Sequence, residues 1–204
     1  LEENPWWPEV KDLGVVLGVA GFALAVLLGT KLRLVTSRMY SIEDAICRIV
    51  GALRLMRNNK PVKTAVDNWA QQFEDSIRNP TADSIQKIRL VTDNLAAEFA
   101  TESVSGPNVA GFSRDVAYVL HRATARSPEA YEKFLKIVTF AYAGAIVFVV
   151  PGLTGFLTSI LTVYTLVGIY MLIEDMDTSL DYSENSLVKA DLDPIIRFNL
   201  ERET

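Results

Sequence analysis

The chain has 204 residues, half of them apolar, with a formal net charge of −5 and a single cysteine. The length suits one domain of ordinary size or a small membrane protein, the one cysteine excludes an internal disulfide, and the acidic balance argues against nucleic acid. The distribution of charge decides more than the totals. Leu13 to Thr30 is an uncharged run of 18 residues, and Ile137 to Ile173 is one of 37, whereas a membrane-spanning helix needs about 20. A soluble domain of this size could hardly bury the longer run, so the chain reads as an integral membrane protein in contact with the lipid bilayer, in a cell or organellar membrane.

Residues 1–12 form an acidic segment in which "NPWWP" places Trp6 and Trp7 just ahead of the first apolar run. Tryptophan is enriched at the membrane–water interface. The segment lacks the basic start of a signal peptide. Leu1 is not an initiator methionine, which reads as a fragment or a processed product, with room for another span upstream. The first span is expected over 13–30. Its Gly14 and Gly18 form a GxxxG, a common spacing for close helix approach.

Seven basic residues lie between Lys31 and Lys60, against only Lys11 before the span. The positive-inside rule therefore puts the chain from Lys31 onward on the cytoplasmic side or its organellar equivalent. Residues 31–133 read as a helical cytoplasmic domain. Ser41-x-x-Asp44 reads as a capping box that starts a helix with the stripe Ile42, Ile46, Ile49, Leu53 and Met56. Cys47, beside Ile46, Ile49 and Val50, is expected to be a buried, inert thiol. Val62, Val66, Trp69, Phe73 and Ile77 make a second stripe, which Asn79-Pro80 ends, with the proline suited to the first turn of the next helix. Ile85, Ile88, Thr92, Leu95 and Phe99 make a third. "SVSGPN" reads as a loop, and Phe112, Val116, Val119, Leu120 and Ala123 make a fourth stripe. Ser127-Pro128-Glu129 starts the helix that enters the membrane.

The 37-residue run is expected to be a transmembrane hairpin over 134–173. "PGLTG", Pro151 to Gly155, would be its turn, with spans Phe134 to Val150 and Leu153 to Ile173. The alternative is one long kinked helix. Residues 174–204 form an acidic tail that opens with Glu174, Asp175, Asp177, Asp181 and Glu184 within eleven residues. Five carboxylates so close repel one another, and carboxylates near a helix C-terminus are disfavoured by its dipole. The cluster calls for cations. Either the basic segment Lys31 to Arg38 or calcium can supply them. Asp175-x-Asp177-x-Ser179 imitates the start of an EF-hand, but Leu180 and Ser186 stand where that loop needs glycine and glutamate. Any calcium site would be irregular, on Asp175, Asp177, Asp181 and Glu184, with ligands from another segment or subunit.

Catalytic chemistry has little to rest on. The one histidine, His121, stands beside Arg122, and no HExxH, GxxxxGK[ST], GxSxG or CxxC motif occurs. The reading is not an enzyme.

Two segments resemble bestrophins. "VLLGTKLRLVTSRMY", Val26 to Tyr40, is similar to the family's pore-helix segment, and "MLIEDMDTSLDYSENSLVKADLDPI", Met171 to Ile195, is similar to the acid-rich segment after its last span. The order of a span, a helical insert, a hairpin and an acidic tail also fits. Where the family has Pro-Phe after its acidic start, this chain has Thr178, Ser179 and Leu180. The runs and stripes read as an all-α membrane protein, three transmembrane helices with a helical cytoplasmic insert, and the resemblance implies a homo-oligomeric ring that conducts anions such as chloride, although the family's first span has no counterpart in this sequence. Calcium would be its cofactor. By position, the pore constriction would fall on Phe22, Val26 and Thr30, which share a helix face at i, i+4 and i+8. Lys31, Arg33 and Arg38, repeated around a ring, would concentrate anions at its cytoplasmic end. The alternatives are a non-conducting scaffold or accessory subunit of a larger membrane complex, with other membrane subunits as partners, and a sensor subunit that uses the acidic tail.

Overall fold

A computed structural model describes residues 10–58, 62–101, 106–124, 129–149, 152–182 and 186–201. It contains the helices α1 (Val10–Arg57), α2 (Lys63–Arg78), α3 (Ala82–Thr101), α4 (Gly106–Thr124), α5 (Glu129–Val149), α6 (Gly152–Asp177) and α7 (Asp193–Leu200), and no strand among the described residues. The chain divides into two compact units. One takes the chain up to Thr36 with Ser127–Asp177, and the other takes Ser37–Arg126 with the chain from Thr178 onward.

No helix end falls just after Thr30. α1 runs through it as one helix of 48 residues, more than twice what a span requires. No proline or glycine occurs between Lys31 and Val50, so nothing stops propagation. Ser41 is not an N-cap. Its hydroxyl donates to the Ser37 carbonyl one turn back at 2.8 Å, as serine does inside a helix. Asp44 pairs instead with Arg48 on the next turn.

In the first unit, α1 buries Leu24, Leu28, Lys31 and Val35, the i, i+4, i+7 and i+11 positions of one face. α5 buries Leu135, Thr139 and Ala143 by the same logic. α5 and α6 form an antiparallel hairpin. The Ser159 hydroxyl donates to the Ile146 carbonyl at 3.4 Å, and the Phe140 and Tyr170 rings meet edge to face at 6.2 Å. Both pairs require the chain to turn back between them, which rules out one long kinked helix. The turn is tighter than 151–155, because Gly152 to Gly155 are already helical; residues 150–151 lie outside the described residues, as do Trp6 and Trp7. α1 meets α5 where a methyl on Gly21 would overlap the Tyr142 hydroxyl, so glycine is what allows that approach. α1 and α6 are each long and apolar enough to cross a membrane, yet only 17% of the apolar window of each is buried. The core helix of a soluble protein would be mostly buried, so these surfaces suit lipid or another subunit.

In the second unit all four sequence stripes form one core. Trp69 is at its centre: its ring stacks on Phe73 at 4.7 Å, meets Phe112 at 4.9 Å, and its Nε1 donates to Thr92 Oγ1 at 2.9 Å. One side chain thereby ties α2, α3 and α4. Pro80 is not in the first turn of α3. Thr81 is its N-cap, closed by reciprocal bonds with Ser84, backbone N–H to hydroxyl at 3.0 Å each way. Gly106 and Pro107 belong to the first turn of α4 rather than to a loop, while residues 102–105 lie outside the described residues. Cys47 is exposed. It lies about 100° around the helix from Ile46, on the face of Asp44, Arg48 and Gly51, all exposed.

The segment after α6 is more than an acidic tail. Leu180, Ala190, Leu192, Ile195 and Phe198 are buried in the core of the second unit. The Ala190 N–H donates to the Ser179 carbonyl at 2.7 Å, and the Tyr182 hydroxyl donates to the Ala190 carbonyl at 2.8 Å. Burial holds the Tyr182 phenol above its ordinary range. Pro194 then opens α7 at a position where its missing N–H costs nothing.

Candidate functional site

Two features of the first unit carry functional weight, and both lie on α1. The first is a continuous exposed stripe. Val15, Val19, Phe22 and Val26 are 68%, 67%, 73% and 52% exposed, and Thr30 and Arg33 continue the same face as exposed residues. The steps of four, three, four, four and three keep the stripe straight along the helix. Phe22, Val26 and Thr30 therefore share one open face, opposite the packed face of Leu24, Leu28 and Val35. Val15, Val19 and Arg33 extend it; their helical spacing was the signal that could have added them. Arg33 puts a cation at the Thr30 end of this face, while Arg38 is half-buried.

The second feature is at the end of α6. Lys31 does not share the open face with Arg33. It is buried, with Nζ 3.3 Å from Asp177 Oδ2, and the two side chains are only 7% and 5% exposed. The Tyr131 ring lies 5.6 Å from the ammonium, a favourable placement for a cation over a ring face. One residue beyond Val35, the Thr36 hydroxyl contacts Met176 Sδ at 4.0 Å, so α1 and α6 touch again beside the pair. Glu132, on α5, lies close to Asp177, Lys31 and Glu174, so one ammonium stands among several acids where α1, α5 and α6 meet.

Asp177 is therefore met by Lys31, the first of the two cation sources that the acidic row called for. Lys31 is correspondingly not an open anion-attracting charge, because its field is compensated at contact distance by Asp177. Asp175 is half-buried and Asp181 exposed, and Glu184 lies outside the described residues. Among the described residues no three His, Cys, Asp or Glu side chains gather closely enough to hold a metal ion. Tyr131 and Glu132 escaped the sequence reading. They precede the uncharged run by only a few residues and looked like the ordinary amphipathic start of a span. His121, on α4, is exposed beside an open groove of about 440 Å³ that Arg89, Asp93 and Ser113 also line.

No protein-family model and no curated protein sequence matches the chain. Solved structures do. A bacterial bestrophin homologue from Klebsiella pneumoniae, phased on zinc, superposes with a TM-score of 0.67 at 17% identity, over 91% of this chain and 84% of that one. Two single-residue variants of a Klebsiella pneumoniae bestrophin homologue give TM-scores of 0.71 and 0.65 at 14% and 15% identity, over 92% and 93% of this chain and 85% and 87% of theirs. At such identity the likeness is one of fold. The chain resembles the bestrophins, and it does so in the fold of nearly its whole length.

Proposed function

We propose that the chain is one subunit of a homo-oligomeric membrane anion channel of bestrophin-like architecture. Copies of α1 surround an axis, Phe22, Val26 and Thr30 form the constriction, and Arg33 supplies a ring of cations at its cytoplasmic mouth. The observation that carries this reading is the straight exposed stripe on α1. A bulky apolar face on a helix whose other face is packed against its own chain needs lipid or a copy of itself, and around an axis of copies the Thr30 and Arg33 that end the stripe would form rings at its mouth. Apolar constrictions gate by excluding water, and a repeated cation concentrates anions. α5 is the third span. From Phe134 to Val149 its helix gives about 24 Å at 1.5 Å per residue, so it would be thinly embedded.

Planar-bilayer recording of the purified protein under a chloride gradient tests the reading. Anion current is expected in the parent protein. Val26→Ala widens the constriction and raises the current. Arg33→Glu reverses one charge per subunit and moves the reversal potential toward cations. Absence of current in the parent protein leaves the chain as a non-conducting scaffold; current that ignores both substitutions removes Val26 and Arg33 from the pore lining.

Topology gives a separate expectation. With three spans, the amino end is outside and the segment after α1 is inside. Single cysteines at Glu3 and at Lys60, in a Cys47→Ser background, are expected to react with an impermeant maleimide from opposite faces of sealed vesicles. Reaction of both from one face rules the three-span arrangement out. Cys47 must be removed first because it is exposed and would itself react.

A further inference from the structure

We propose that Lys31 is the built-in cation of the acidic end of α6, standing where an irregular calcium site would have placed a metal. Calcium takes about six to eight oxygen ligands in one shell. The residues present do not fit that demand. Asp177 is held by the Lys31 ammonium at 3.3 Å, and no group of three carboxylates placed to hold a metal ion occurs among the described residues. A divalent ion entering here would meet the ammonium across the same carboxylate, and like charges at such range repel strongly where water is scarce.

The placement of the lysine supports a dedicated role. Position 31 continues the packed face of Leu24 and Leu28 and precedes Val35, so a side chain there points inward by the register of the helix. Burying an ammonium is costly unless it is paired, and here it is paired with Asp177 and backed by the Tyr131 ring. A tethered cation differs from a bound one in a measurable way: it is present at every ion concentration. The acidic end of α6 is then a fixed tie between α1, α5 and α6 and not a calcium sensor.

Calcium chloride titrated into the detergent-solubilised full chain, by calorimetry and by melting temperature, is the test. The parent protein and Lys31→Arg are expected to show no saturable heat and no shift in melting temperature. Lys31→Met and Asp177→Asn are each expected to melt several degrees lower than the parent, and the double variant to recover part of that loss, because it leaves no buried charge unmatched. Saturable calcium binding to the parent that Asp177→Asn abolishes overturns the proposal. So does a Lys31→Met protein that melts with the parent. If Lys31→Met does not fold, the parent titration, Lys31→Arg and Asp177→Asn still decide. None of these readouts depends on whether the chain conducts.

Discussion

Trp69→Ala is expected to lower the stability of the helical unit by about 3–5 kcal/mol, the usual cost of deleting a large buried aromatic side chain. Trp69 is fully buried and belongs to three helices at once. Its ring contacts Phe73 and Phe112, and its Nε1 bonds to Thr92. Alanine would leave a cavity bounded by α2, α3 and α4, and helices cannot collapse onto such a void without losing their own register. The Thr92 hydroxyl would still be satisfied, since it donates to the Ile88 carbonyl at 2.7 Å, so the loss comes from packing and not from a stranded polar group. Trp69→Phe isolates the remainder. It keeps much of the ring contact and removes the indole N–H, so it should cost about 1–2 kcal/mol less than full truncation. The check is thermal unfolding followed by circular dichroism in detergent. At roughly 2–4 °C per kcal/mol for a chain of this size, the alanine variant should melt on the order of 10 °C below the parent. Equal melting of the two variants would mean that the ring packing contributes little.

Most of this architecture could be read from periodicity. Val66, Trp69, Phe73 and Ile77, or Ile85, Ile88, Leu95 and Phe99, recur at helical spacing, and the structure buries every one of them. What escaped has physical causes. The onset of basic residues at Lys31 marks where the chain expects water, but it does not end the helix. Charge sets the depth of a span, whereas glycine, proline and caps set the ends of helices, and α1 has none of these from Lys31 to Val50. The acids from Glu174 onward dominated the reading of the last thirty residues and hid Leu180, Leu192, Ile195 and Phe198, which enter the core. Cys47 looked buried because it neighbours apolar residues in sequence, but adjacent positions on a helix point about 100° apart. The same arithmetic separates Lys31 from Arg33. The positive-inside rule treats both alike, yet Lys31 falls in register with Leu24 and Leu28 and turns inward, while Arg33 stays on the open stripe. Sign and side were legible in composition; the face each cation takes needed the helix to be continuous.

Asp67→Ala is expected to be the most damaging single charge removal in the helical unit, at about 3 kcal/mol, the lower end of what breaking a buried pair costs. Asp67 on α2 faces Arg57 in the last turn of α1, with Nε 3.0 Å from Oδ1 and side chains 7% and 14% exposed. That oxygen is buried and makes no aligned hydrogen bond, so the pair is held chiefly by charge. Removing Asp67 leaves the guanidinium desolvated without its main counter-charge. Two contacts soften the loss: the Phe198 ring 5.0 Å from Arg57 Cζ, and Glu201, whose carboxylate is 4.0 Å from Arg57 and 2.7 Å from Arg54. Both belong to α7 or the residue just beyond it, so this arginine is one of the ties between the last helix and α1 and α2, beside Arg54–Glu201 and the bond from Asn199 Nδ2 to Glu74 Oε2. Loss of Asp67 should therefore loosen α7 first. Hydrogen exchange is expected to speed up at Ile195 to Phe198 before the α3–α4 amides respond. An Arg57→Met, Asp67→Leu pair, which removes both charges and keeps the volume, should recover most of the melting temperature, because a buried ion pair costs nearly as much to desolvate as it returns. If Asp67→Ala alone melts with the parent protein, Glu201 is the true partner of Arg57, and Glu201→Gln should then carry the loss.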